Sequence, residues 1–156
     1  VSGTVVASTS GTSIDFTPIP SWVKRITINF AGVSTNGTST LIVQLGDAGG
    51  IEKTGYLGSS ATIVHNASPG VAAYTTGFGI SVGAAATVLH GSMVLCLLDA
   101  AAFTWAASGT FALSDAPTQI PTAGSKSLSA QLDRVRITAT NETDAFDAGA
   151  INILYE

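Results

Sequence analysis

Charge is the scarcest thing in this chain. Six Lys and Arg with ten Asp and Glu make up 10% of its 156 residues, where soluble domains usually carry about 25%. Only three lysines and three glutamates are available to coat a helix. There is no basic run, and the formal net charge is −4. The footprint that phosphate binding needs is therefore missing, and nucleic acid is excluded as a partner. The single cysteine, Cys96, cannot close an internal disulfide, and no Cys/His cluster has metal-ligand spacing; disulfide and zinc scaffolds are excluded with it. Apolar runs are short because Gly, Ser and Thr interrupt them, and none approaches the roughly 18 residues of a membrane span. A mean hydropathy of +0.42 thus implies no membrane insertion. The chain opens on Val1 with no basic segment and apolar run behind it, so no signal peptide is expected.

What is abundant is small. Gly, Ala, Ser and Thr account for 77 of the 156 residues, a composition of strands and turns rather than of solvated helices. At 15.7 kDa the chain is one domain, able to bury about two-thirds of its unfolded surface. Residues 1–13 read as an N-terminal strand or linker and 14–156 as a single β-sandwich domain. The clearest strand is Val23 to Ala31, with Ile26, Ile28 and Phe30 on one face and Arg25, Thr27 and Asn29 on the other. Asn36-Gly37 then predicts a tight turn into Leu41, Val43 and Leu45, a hairpin. Residues 46–60 hold too many glycines for a regular element and read as a long loop. Further strands are expected at Ala61–His65, Thr75–Val82 and Thr87–Leu98. Residues 92–108 lack Gly and Pro and invite a helix, but Phe103, Trp105 and Ala107 alternate with hydroxyls and alanine, so strand, turn near Asp99–Ala102, strand is preferred. Pro117, Pro121 and Gly124 make 110–124 a loop with a short strand at its start. Alternation returns at Leu128, Ala130, Leu132, Val135, Ile137 and Ala139, and again at Ile151, Ile153 and Tyr155. The expectation is an all-β sandwich or jelly-roll-like domain of about eight to ten antiparallel strands.

Chemistry is hard to find. There is no Gly-x-Ser-x-Gly elbow, and His65 and His90 read as ordinary strand histidines. Asn141, Glu142, Asp144 and Asp147 lack the spacing of a calcium loop, so no metal and no cofactor is implied. Asp47 with Glu52 is the best carboxylate pair, although glycoside cleavage asks only that two carboxylates meet in space. Trp22 and Trp105 read as core or interface anchors. Tyr56 and Tyr74, in Gly/Ser/Thr-rich stretches, are the candidates for an exposed aromatic contact.

Three stretches carry a resemblance: Ser10-Gly-Thr-Ser-Ile-Asp-Phe-Thr followed by Ile19-Pro-Ser-Trp-Val-Lys-Arg-Ile-Thr; Gln44-Leu-Gly-Asp-Ala-Gly-Gly-Ile-Glu-Lys-Thr-Gly-Tyr-Leu-Gly-Ser; and Gly124-Ser-Lys-Ser-Leu-Ser through Leu132-Asp-Arg-Val-Arg-Ile-Thr to Asp147-Ala-Gly-Ala-Ile-Asn-Ile-Leu-Tyr-Glu. They resemble the C-terminal domains of tail-fibre and related virion-appendage proteins of tailed bacteriophages. The resemblance implies a β-rich, trimeric tip on the exterior of the virion, in contact with other virion proteins and with a host-surface glycan or protein. The low charge agrees, since a chain with so little solvated surface suits burial against copies of itself. The expectation is therefore a non-enzymatic, homotrimeric attachment protein. A capsid or neck decoration protein and a polysaccharide depolymerase are the alternatives. Within a β scaffold recognition falls to loops. Asp47, Glu52, Lys53 and Tyr56 of the 46–60 loop are the expected ligand contacts, with His65, Asn66 and Tyr74 second.

Overall fold

Buried and exposed side chains alternate along most of the chain, as they do where a strand has one face in a core. This pattern is seen in a computed structural model that describes residues 1–82, 84, 85 and 87–156. Among the described residues there is no helix. The strands are β1 (Val6–Ala7), β2 (Ser13–Phe16), β3 (Arg25–Thr35), β4 (Leu41–Asp47), β5 (Gly50–Ile51), β6 (Leu57–Val64), β7 (Gly70–Tyr74), β8 (Phe78–Ile80), β9 (Leu89–Asp99), β10 (Thr104–Leu113), β11 (Thr118–Ser127), β12 (Arg134–Ala139) and β13 (Phe146–Tyr155). An eight-stranded sheet runs β1-β13-β3-β9-β10-β11-β6-β7. A five-stranded one runs β2-β12-β4-β5, with β8 also on β4. Every pairing is antiparallel, and the fold is an all-β sandwich.

The inward faces meet in one core. Ile26, Ile28 and Phe30 of β3 and Val135 and Ile137 of β12 are all buried in it, as the alternation predicts. Phe30 meets Phe111 edge-on, with ring centroids 5.3 Å apart, which is a favoured aromatic geometry. The 92–108 segment is indeed strand, turn, strand. Asp99 Oδ1 accepts the N–H groups of Ala101 and Ala102, a local side-chain bond that competes with helix. Where β3 and β13 approach most closely, Gly32 and Gly149 face each other with φ of +67° and +91°. A Cβ on Gly149 would stand 2.4 Å from the Gly32 carbonyl, so only glycine fits this bulge.

Two expectations about connections are corrected. β3 and β4 are not a hairpin; they belong to opposite sheets. Neither Asn36 nor Gly37 adopts the positive φ of a tight hairpin turn. Asn36 instead pairs with Ala145, donating its N–H to the Ala145 carbonyl at 2.9 Å and accepting the Ala145 N–H on its side chain at 2.9 Å. The segment 110–124 is not a loop either, because β10 continues to Leu113 and β11 fills 118–127. Pro121 is tolerated inside β11. Pairing with β6 occurs at Gln119–Ile63 and Thr122–Ser60 and skips the positions between, so the missing N–H interrupts only that side of the strand. Smaller differences follow the same logic. β8 occupies only 78–80 of the strand expected at 75–82. Residues 128–133 lie outside strands, with Leu128 and Leu132 buried and Ala130 exposed.

Candidate functional site

The 46–60 loop was expected to hold its polar and aromatic groups out to solvent. Lys53 apart, it turns them inward. Asp47, the last residue of β4, accepts the Gly49 N–H on Oδ1 at 2.7 Å and the Ser129 hydroxyl on Oδ2 at 2.5 Å. The first of these bonds is an Asx-type turn, which aspartate favours. Glu52 Oε1 accepts the Ser129 N–H at 2.6 Å, and Oε2 is in direct contact with the Lys126 ammonium. Lys126 is only 6% exposed. It also donates to the Ser127 carbonyl at 2.8 Å and stands 5.5 Å from the centre of the Tyr56 ring, inside cation–π range.

Tyr56 corrects the sequence expectation most sharply: it is 1% exposed and cannot meet a ligand. Its hydroxyl accepts the Leu45 N–H at 2.6 Å and donates to the Glu52 carbonyl at 2.9 Å, while its ring packs edge-on against Phe78. Burial pushes the phenol well above its usual range, so it keeps its proton. The Ser129 hydroxyl and Gly49 N–H hold the Asp47 carboxyl below its ordinary value. For Glu52, burial acts upward, but the hydrogen bonds from Lys126 and Ser129 outweigh it and the group also ends below its ordinary value. The assembly is a polar latch with both acids ionised. Lys126 and Ser129 were missed by the sequence reading. The signal was present for Lys126, which shares the parity of Ile120, Thr122 and Leu128 and so had to face inward with a partner.

The remaining expected residues do not join this cluster. Lys53 points outward and pairs with Glu142 at 2.7 Å. His65 and Asn66 form an exposed turn after β6, linked by a 2.8 Å side-chain contact. They sit across the full length of that eight-residue strand from Tyr56, about 26 Å. Tyr74 closes β7 half-buried, its ring against Gly79 and its hydroxyl 3.4 Å from Thr40 Oγ1.

Two other surfaces stand out. The outward face of the eight-stranded sheet presents adjacent cross-strand rows. Asn152, Asn29, Ser92, Thr110 and Pro121 form one; Leu154, Thr27, Val94, Ser108, Ala123, Ser59 and Ala73 the next; and Arg25, Cys96, Ala106, Ser125 and Leu57 a third. The only formal charge in these rows is Arg25. At one end of the sandwich, a cleft of about 220 Å³ opens where β3 begins and β9 ends, lined by Val23, Lys24, Phe103, Trp105 and Gln131 among others.

No family model and no curated protein matches this chain. Among solved structures, the marine PL-14 alginate lyase from Aplysia kurodai is similar, with a TM-score of 0.43 and 10% identity over 97% of this chain and 80% of that one. That neighbour is an enzyme by name, against the expectations of a non-enzymatic tail-fibre tip and of a chain that is not an enzyme, and neither expectation is carried further. The likeness concerns β-rich architecture and transfers no active-site residue.

Proposed function

We propose that this chain is the subunit of a homo-oligomer, a trimer, in which sister chains cover the outward face of the eight-stranded sheet. The observation that carries this reading is the near-absence of charge from the three rows just described. A face meant for water would be dotted with Lys and Glu. Here Ser, Thr, Ala and Asn leave a flat surface onto which another subunit can pack closely. The area suffices: six strands of about ten residues give roughly 29 Å by 33 Å, or about 950 Å², against about 800 Å² per partner in a stable interface. The resemblance set out above implies the exterior of a virion as the place of that assembly, which immunolabelling of purified particles tests.

Light scattering of the chain should give about three times the 15.7 kDa monomer. Replacing Ser108 and Ala123 together by Glu should return the monomer without unfolding it. A native chain that stays a monodisperse monomer at micromolar concentration ends the proposal.

A second reading, polysaccharide cleavage, rests on a different observation. The fold brings Asp47 and Glu52 onto a single serine, Ser129, one through its hydroxyl and the other through its N–H, and paired carboxylates are the usual tools of glycosidic cleavage. Because both are held ionised, substrate would have to displace Ser129 or Lys126 for either to act as an acid. The test is release of reducing ends or unsaturated sugars from acidic and neutral polysaccharides. Product formation lost in Glu52→Gln supports this reading, and no product from any of them removes it.

A further inference from the structure

Five of the six lysines and arginines have a carboxylate partner within 3.4 Å: Arg25 with Glu156, Lys53 with Glu142, Lys126 with Glu52, Arg134 with Asp133 and Arg136 with Asp15. Lys24 is the exception among the described residues. Its neighbour Glu156 accepts the Lys24 backbone N–H at 2.7 Å but sends its side chain to Arg25. Lys24 is one of the residues lining the 220 Å³ cleft, where the other side chains, Gln131 apart, are apolar, among them Ile19, Leu97, Phe103, Trp105 and Leu132.

The other polar group is the Gln131 amide, which spends one N–H on the Ser21 carbonyl at 2.7 Å and keeps its second. Phe103 reaches the cleft from a left-handed backbone, φ +49°, a conformation that costs a bulky residue energy and that proteins retain mainly where it places a group for use. The turn is held by Asp99 on one side and by the Leu128 N–H bonded to the Phe103 carbonyl at 3.2 Å on the other. An apolar cavity of about 150 Å³ already takes benzene, so this one has room for a ring and a short substituent.

We propose that this cleft binds a compact apolar group bearing one carboxylate, an arylalkyl or short acyl acid. The hydrocarbon lies against Phe103, Trp105 and Leu132, and the carboxylate meets Lys24 and the free amide hydrogen of Gln131. The apolar side chains favour such an acid over a uronate sugar, whose ring offers little hydrocarbon surface to Phe103, Trp105 and Leu132. The site is independent of the sheet face used for assembly and of the Asp47–Glu52 latch.

The experiment is a fluorescence titration of the Trp22→Phe chain, in which Trp105 is the only indole left, with phenylacetate, hexanoate, phenylacetamide and glucuronate. Phenylacetate and hexanoate should produce a saturable change with Kd on the order of 1 mM. Phenylacetamide should bind about tenfold more weakly, and Lys24→Gln should weaken phenylacetate by about the same factor with an unchanged melting temperature. Equal affinity for acid and amide overturns the role of Lys24. Saturable glucuronate binding without phenylacetate binding overturns the apolar half. No saturation by any acid up to about 10 mM overturns the site.

Discussion

The two outward faces of the sandwich solve the same problem in opposite ways. On the five-stranded sheet, Asp15 of β2 and Arg136 of β12 stand opposite each other and form a two-pronged pair at 2.7 Å, and Arg134 does the same with Asp133 at 2.6 and 3.1 Å. What is not charged there is covered. Thr76 and Gly77 lie against Ile42 and Gln44, with the Gln44 amide donating to the Thr76 carbonyl at 2.9 Å. The eight-stranded sheet has one ion pair at its margin, Arg25 with Glu156 at 3.4 Å, and its three central rows carry no other charge. The chain has few charges and spends four of them on the smaller face, and the contrast indicates which face stays wet and which is built for contact.

The shared core comes first among the ways to test this contrast, because losing it should erase both faces at once. Phe30→Ala removes one ring of the Phe30–Phe111 pair and should lower stability by about 3–5 kcal/mol, read as a shift in the urea midpoint; an unchanged midpoint would contradict its place in the core. Next is the latch between the sheets. Glu52→Gln leaves the nearly buried Lys126 without its counter-charge, and the penalty should be about 1–3 kcal/mol, reduced from that of a fully buried pair because Glu52 is 22% exposed. Lys126→Met keeps the packed stem and removes the ammonium, so a loss of the same size would place the effect in the pair's charge, and no loss would place it in the packing.

Acid should act on the same latch. The folded carboxyls of Asp47 and Glu52 lie below their ordinary values of 3.8 and 4.5. Their stabilisation is therefore complete above those values and is lost as pH falls through the lower folded ones. Melting temperature should drop between neutral pH and strong acid, and drop less in the Asp47→Asn, Glu52→Gln double variant. The smallest effect belongs to the charged face: Arg136→Ala breaks a half-exposed pair and should cost no more than about 1 kcal/mol. It should leave the mass in solution unchanged, whereas charges placed on the other sheet change it. If Arg136→Ala altered the assembly, the assignment of the two faces would be reversed.

Period-two patterning made the strands legible: β3, β9, β10, β12 and β13 could each be read from their own residues. Partnership between strands could not be read that way. A turn-forming pair such as Asn36-Gly37 looks the same whether the chain doubles back or crosses to the opposite sheet, and the contact that decides it, Ala145, lies 109 residues away. Pro121 misled for a related reason, since its cost depends on what the neighbouring strand asks of it. The candidate loop was read by composition alone, and composition does not say which way a tyrosine points. Tyr56 is held by backbone groups of β4 and by a lysine from β11, both invisible within the loop. The Lys24 cleft is assembled from segments around residues 19–24, 97–105 and 131–132, so no local motif announces it.

The first and last residues are zipped together: the Val1 amino group donates to the Tyr155 carbonyl at 2.7 Å, and the Gly3 N–H to the Ile153 carbonyl at 2.7 Å. Residues 1–3 and 153–156 thus lie together at one corner, beside the end of β13. Closing them with a few glycines and opening the chain at the exposed 66–69 turn would yield a circular permutant with every long ladder intact. It also means that a tag or partner fused to either end hangs from the same point, leaving the opposite end of the sandwich unobstructed.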